Sequence, residues 1–429
     1  MVNIVDLAPE MISTIFEYLE QSKDRQCLAK SHPVFKEAIA IYAVESKCYE
    51  KIQIESLPIE DWSFILSACG STVLHIACYS ANIASAAVKL ASEYCPNLKE
   101  LIIPIRHEYW NEVKPLLVGL ENLKGLILRN DYTPIDLTDL VKLPELRTLL
   151  LFAFNPKDVL PVVNLWQLTN LCIRNVDIVL NIYELCRGMA QLESIELEQV
   201  HVNFPATFMR DPLWAKLRYL KIGVVRVSSE MPYLPQLKIL CIKCHSDIEL
   251  GKILGRSVTR YSNTLLALRL YCTDKCSSHE NNAKTIGQLK ALKSLIFSNL
   301  NNTYLHFIKS DQLQKVIILS SNKITNSSIL ILLRGCKNLR YLDVSGCRRV
   351  NKNVVGPLIN ILRKNNVQPD DPLVLTVHLK SFGDVNQGTG TSNSYYNLLV
   401  VKICENFIRE RPFTVPDPPV ETEYLINTE

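Results

Sequence analysis

The sequence predicts an α/β fold. It reads as a repeat solenoid, a curved horseshoe with a concave parallel sheet and with helices or irregular turns on the convex face, preceded by a small all-α module. Three observations predict it. A six-residue pattern, Leu-x-x-Leu-x-Leu with aliphatic or aromatic replacements, recurs between Leu98 and Val344. Its middle apolar positions advance in steps of 20 to 28 residues, the period of one strand plus one connecting element. Residues before about position 50 lack the pattern and space their apolar side chains as helices do.

The copies keep phase over most of the chain. They run Leu98/Leu101/Ile103, Leu123/Leu126/Leu128, Leu146/Leu149/Leu151, Leu168/Leu171/Ile173, Leu192/Ile195/Leu197 and Leu217/Leu220/Ile222. They continue as Leu237/Leu240/Ile242, Leu265/Leu268/Leu270, Leu292/Leu295/Phe297, Leu313/Val316/Ile318 and Leu339/Leu342/Val344. Each copy reads as a short strand whose alternate side chains point inward. One repeat cannot bury its own apolar face, so stacking supplies the core and the strands share one open surface. The best-formed copy, Gly335 to Val350, includes Cys336 and Cys347. It resembles the cysteine-containing subclass of leucine-rich repeats, which is commonly fused to F-box modules.

The ends of the array are less regular. Val73 to Ile76 is expected as an initial strand aligned through Leu74, and Leu373/Leu375/Val377 as a final one. Ser381 to Asn397, rich in Gly, Ser, Thr and Asn, reads as a loop, and Leu398 to Ile408 as a terminal helix. From Arg411 onward, prolines and acids predict a disordered tail. The expected organisation is therefore a helical module over 1–48, a linker and N-terminal capping repeat over 49–97, the repeats with a C-terminal cap over 98–410, and the tail over 411–429.

In the N-terminal module Met11, Ile12, Ile15, Phe16 and Leu19 share one helical face, with Asp6 or Pro9 as the start and Glu10 complementing the helix N-terminus. The stretch resembles the F-box: Leu7 stands at its leading leucine, Pro9-Glu10 at its Pro-x-Glu, Ile15-Phe16 at its apolar pair and Leu19 at the next leucine. A second helix from about Asp24 puts Leu28 inward and Phe35 where the family usually has tryptophan. Ala8, Arg25 and Ser31-His32 depart from the pattern. The resemblance implies binding to a Skp-family adaptor through Leu7, Pro9, Ile15, Phe16, Leu19, Leu28 and Phe35, and through it to a cullin-based ubiquitin ligase core. The chain would then be the substrate-recognition subunit. The alternative is a leucine-rich scaffold or inhibitor-like binding protein, with no ligase role, whose N-terminal helices cap the first repeat.

Composition narrows the function classes. Lys plus Arg exceed Asp plus Glu by only four over 429 residues, too weak a balance to imply nucleic acid. Trp62 to Val88 is nearly free of charge, yet seven interspersed Ser, Thr and Asn and one Gly argue against a membrane span. The start lacks a basic, apolar leader, so the fourteen cysteines are expected as reduced thiols in the cytosol and/or nucleus. Cys241, Cys244, Cys272 and Cys276 have superficially zinc-like spacing but fall on strand and turn positions, where ordinary thiols are expected. The histidines share no motif with a nucleophile, and Gly251 to Gly255 lacks the ending of a phosphate loop. No cofactor or metal is expected, and the chain is expected to be non-catalytic.

The concave strand positions read Ile102, Ile127, Leu150, Cys172, Glu196, Lys221, Cys241, Arg269, Ile296, Ile317 and Asp343. An apolar end followed by charge suggests a surface for a protein target. Ile102, Ile127, Leu150, Lys221 and Arg269 are its candidate contacts, with Tyr219, Tyr271 and Tyr341 as rigid aromatic ones. The alternative is that a loop or the tail covers this face.

Overall fold

The computed structural model describes residues 4–174, 179–181, 188–198, 201–203, 214–224, 230–244, 249–272, 279–298, 302–319, 321–382 and 397–404. The chain divides into two compact units, Met1–Ser228 and Ser229–Glu429.

The first unit opens with three helices, Pro9–Glu17 (α1), Ser22–Ser31 (α2) and Pro33–Ser46 (α3). Proline at the first position of α1 and α3 presets the helical φ and removes a donor that would have no partner there. The His32 ring nitrogen Nδ1 accepts the Val34 amide at 3.3 Å, and Lys47 ends α3 in the left-handed region. Ile12, Phe16, Ala38, Ile39 and Ala43 form the small core between α1 and α3. There the Phe16 ring stacks on Tyr42 with centroids 5.8 Å apart.

Strands follow in an order that keeps neighbours in sequence adjacent in space. They are Lys51–Gln53 (β1), His75–Ala77 (β2), Glu100–Pro104 (β3), Gly125–Arg129 (β4), Thr148–Phe152 (β5), Asn170–Arg174 (β6), Val179–Asn181 (β7), Ser194–Glu198 (β8), His201–Asn203 (β9) and Tyr219–Val224 (β10). β1 to β6, β8 and β10 pair successively and in parallel, while β7 and β9 form a separate parallel pair. One row of register partners runs Ile52, Ile76, Leu101, Leu126, Leu149, Leu171, Ile195, Leu220. All eight are buried. Each such side chain contributes roughly 1.5–3 kcal/mol before the entropy of ordering it is charged. Ile59–Cys69 (α4), Ala84–Tyr94 (α5) and His107–Val118 (α6) connect successive strands and pack on one another. At the end of α4, a side chain at Gly70 would place its Cβ 2.3 Å from the Tyr94 carbonyl oxygen, so the corner admits only glycine.

The second unit repeats the scheme with Ile239–Cys244 (β11), Ala267–Cys272 (β12), Ser294–Ser298 (β13), Lys315–Leu319 (β14), Tyr341–Asp343 (β15), Leu373–His378 (β16) and Leu399–Cys404 (β17). Its inward row is Leu240, Leu268, Leu295, Val316, Leu342, Leu375, Val401. Leu339 follows a buried cysteine, Cys336, whose thiol donates to the Ile308 carbonyl at 3.5 Å. Burial pushes the Cys336 thiol up to about 11 and that of Cys347 to about 12.

Three expectations change. The initial strand aligns through Ile76, because the Leu74 carbonyl is occupied by the Lys99 and Glu100 amides at the strand's entrance. Strand pairing begins earlier, at β1, a three-residue element too short to carry a pattern. Residues 399–404 form a strand instead of a terminal helix. Leu-Val-Val-Lys-Ile is rich in β-branched residues, and Leu399, Val401 and Ile403 pair with Leu373, Leu375 and Val377. Trp62 to Val88 folds as two helices around β2, and no helix among the described residues is long and apolar enough to cross a membrane. Most of the 381–397 loop and the whole tail from 411 lie outside the described residues.

Candidate protein-binding surfaces

The first surface lies on the helical module. α1 is apolar on two faces. One, Ile12 with Phe16, packs into the module; the other carries Met11 at 59% exposure, half-buried Ile15 and, at the C-cap that follows the helix, Tyr18 at 83%. Those three positions are four and three residues apart, one side of a helix. Leu7 and Leu19 are half-buried beside it in sequence, and Ile4 is 45% exposed in the turn before α1. This corrects the expected adaptor contacts. Phe16 and Phe35 are inside the module, because three short helices need both rings to close a core. Pro9 and Leu28 are half-buried. The exposed apolar side chains of this region are instead Ile4, Met11 and Tyr18, none of them among the expected contacts; the signal for them is the second apolar stripe on α1.

The second surface is the outward side of the strands in the first unit. Ile102, Ile127 and Leu150 are register partners on β3, β4 and β5, all half-buried, and so form a continuous apolar strip. Two positions further along each strand, Pro104, Arg129, Phe152, Arg174 and Glu198 make a parallel row. Within it the Arg129 guanidinium lies 5.1 Å from the Tyr79 ring centroid and 5.5 Å from that of Phe152. Arg174, on the next strand, also lies 5.5 Å from the Phe152 ring centroid. Cations over aromatic faces are attracted by the ring quadrupole.

At the β6–β10 end the same face closes over its charges. Glu196 accepts from Arg174 Nη2 at 3.0 Å and from Lys221 Nζ at 3.3 Å. Glu198 lies 3.3 Å from Arg174 Nε and 4.0 Å from Lys221 Nζ. Two cations and two carboxylates therefore neutralise one another while largely removed from water. Burial raises the Glu196 pKa, but the Lys221 and Arg174 charges outweigh it and hold the carboxyl below its ordinary value. Burial, aided by the Glu196 charge, pushes the Cys172 thiol up to about 12. This corrects two candidate target contacts: Lys221 is 5% exposed because its ammonium is spent on Glu196 and Glu198, and Tyr219 is 7% exposed.

No family model and no curated protein matches this chain. Among solved structures it is similar to an internalin of Listeria monocytogenes, at 16% identity over 78% of this chain and 94% of that one, with a TM-score of 0.39. It is also similar to the Rad7 and Elc1 complex of yeast (15%, 81% and 90%, 0.44) and to a Leptospira interrogans LRR protein (16%, 72% and 79%, 0.36). Each unit has the leucine-rich-repeat fold.

In the second unit's repeats, Arg269 and Tyr271 on β12 and Tyr341 on β15 are half-buried. The register separates them: Arg269 pairs with Ile296, Ile296 with Ile317 and Ile317 with Asp343, three strands away. The Lys315 ammonium sits 5.2 Å from the Tyr341 ring centroid. Asp343 is buried, and its Oδ1 accepts the Ser345 amide at 2.9 Å. Cys241 is buried, while the side chains of Cys244 and Cys272 and all of Cys276 lie outside the described residues. Among the described residues no three His, Cys, Asp or Glu side chains gather as a metal cage.

Proposed function

We propose that the chain is the substrate-recognition subunit of a Skp–cullin–F-box type ubiquitin ligase, in the cytoplasm and/or nucleus. The N-terminal helices hold the Skp-family adaptor and the leucine-rich-repeat surface holds an unidentified target protein. The observation that carries the reading is the exposed Met11–Ile15–Tyr18 ridge on a module whose own core is already closed by Ile12 and Phe16. A folded module has no internal use for a second apolar stripe, and aromatic and aliphatic anchors are the usual hot spots of an interface. The mechanism is proximity: the chain holds target lysines near a charged ubiquitin carrier, and the chemistry belongs to other subunits.

A second observation favours the scaffold reading. α3 packs on α4, Lys30 pairs with Asp61, and the Lys36 ammonium lies 5.3 Å from the Phe64 ring centroid, so the module also caps the first repeat. Co-purification with a Skp-family adaptor separates the two. The wild-type chain is expected to retain the adaptor. A Met11→Glu, Tyr18→Glu double variant is expected to lose it by at least about tenfold with an unchanged melting temperature, since both side chains face water. Phe16→Ala is expected to cost roughly 3–5 kcal/mol of stability instead, because it opens the core. A well-folded wild type that leaves the adaptor behind would establish the scaffold.

A further inference from the structure

We infer that the strand face of the first unit carries a site for an acidic, apolar peptide segment, with Arg129 receiving a carboxylate and Ile102, Ile127 and Leu150 forming the apolar floor. The inference rests on reading this face as the target-binding surface, and it names the chemical class of the target segment. Arg129 and Arg174 occupy the same row, on either side of Phe152. Arg174 is committed to Glu196 and Glu198. Arg129 differs. Among the described residues no carboxylate oxygen lies within 4.0 Å of its guanidinium, whereas Arg174 has two such partners. A half-buried guanidinium without a counter-charge is costly, and a planar carboxylate is its geometric complement.

The rings of Tyr79 and Phe152 both lie against the guanidinium, so part of its side-chain freedom is already given up before binding. Tyr79 is 48% exposed, which leaves an aromatic contact at the rim. The adjoining aliphatic strip has no polar group of its own at Ile102, Ile127 or Leu150, so it suits apolar side chains flanking the acid. One uncommitted cation matches one carboxylate. A polyphosphate backbone calls for several, so nucleic acid is the poorer fit.

The test is a fluorescence-anisotropy titration of the full chain with a fluorescein-labelled peptide carrying a single acid, Gly-Leu-Ala-Leu-Glu-Leu-Gly, and with its glutamine counterpart. Saturable binding of the glutamate peptide is expected, weakened at least about tenfold by Glu-to-Gln replacement or by Arg129→Met. Arg129→Lys, which keeps the charge and loses the fork, is expected to fall between, and Leu150→Asp to abolish binding. The glutamate–glutamine comparison uses the unaltered chain and needs no variant to fold. Equal binding of the two peptides, absence of binding, or tighter binding of a seven-residue oligouridylate would each overturn the inference. No adaptor is present in the titration, so its failure leaves the adaptor experiment untouched.

Discussion

Glu196 shows how a residue's environment sets a measurable pH dependence. Its carboxyl ionises below the ordinary 4.5 because Lys221 and Arg174 outweigh the cost of burial. The native state therefore holds this proton less readily than the unfolded chain does. The resulting stabilisation is complete above about 4.5 and is lost as pH falls through the depressed native value. Glu196→Gln is expected to destabilise the chain at pH 7 by roughly 3–5 kcal/mol, since Lys221 and Arg174 lose half their counter-charge. The gap between the variant and the wild type should narrow as pH is lowered from 5 towards 3 in calorimetric melts. A gap that stays constant with pH would mean that the quartet is not electrostatically coupled.

At the scale of the element, successive turns are joined by amides just before the first leucine of a repeat. Asn97 Nδ2 donates to the Ser71 carbonyl at 2.8 Å, Asn122 Nδ2 to Pro96 at 2.9 Å, Gln167 Nε2 to Leu143 at 2.9 Å and Asn338 Nδ2 to Asp311 at 2.7 Å. Replacing Asn122 by alanine is expected to lower the urea midpoint by the equivalent of about 1 kcal/mol, with the m-value unchanged. The strands themselves were legible because alternation in a leucine-rich pattern specifies both the face and the register. The middle positions Leu101, Leu126, Leu149, Leu171, Ile195 and Leu220 are successive partners. β1 was not legible, since three residues hold too little periodicity, and β17 was obscured by the Gly- and Ser-rich segment before it. In α1 both faces are apolar, so helical spacing alone could not say whether Phe16 turned inward or Tyr18 did.

Across the molecule, the described cysteines differ in exposure, with Cys48 half-buried between the two extremes. Cys69, Cys78, Cys95, Cys172, Cys241, Cys336 and Cys347 are buried in one unit or the other, whereas Cys27 is exposed. Burial holds the thiols of Cys69, Cys78 and Cys95 up at about 12, far from the reactive thiolate at neutral pH. Brief alkylation with iodoacetamide followed by peptide mapping should modify Cys27 and spare those seven until denaturant is added. Rapid modification of Cys336 or Cys347 in the native chain would contradict the packing of the repeats. The candidate surface was half legible for a related reason. Sequence alternation identified which side chains leave the core, and Ile102, Ile127 and Leu150 do so. It carried no information about what neutralises Lys221, because that depends on two carboxylates of the neighbouring strand, Glu196 and Glu198 on β8.

The strand rows stay aligned although the connecting segments differ in length from one repeat to the next. Each rung is indexed afresh by its own aliphatic side chains, so an insertion between rungs is absorbed locally and shifts nothing beyond it. The connectors are thus free to lengthen, diversify or accept a grafted segment while the recognition rows keep their spacing.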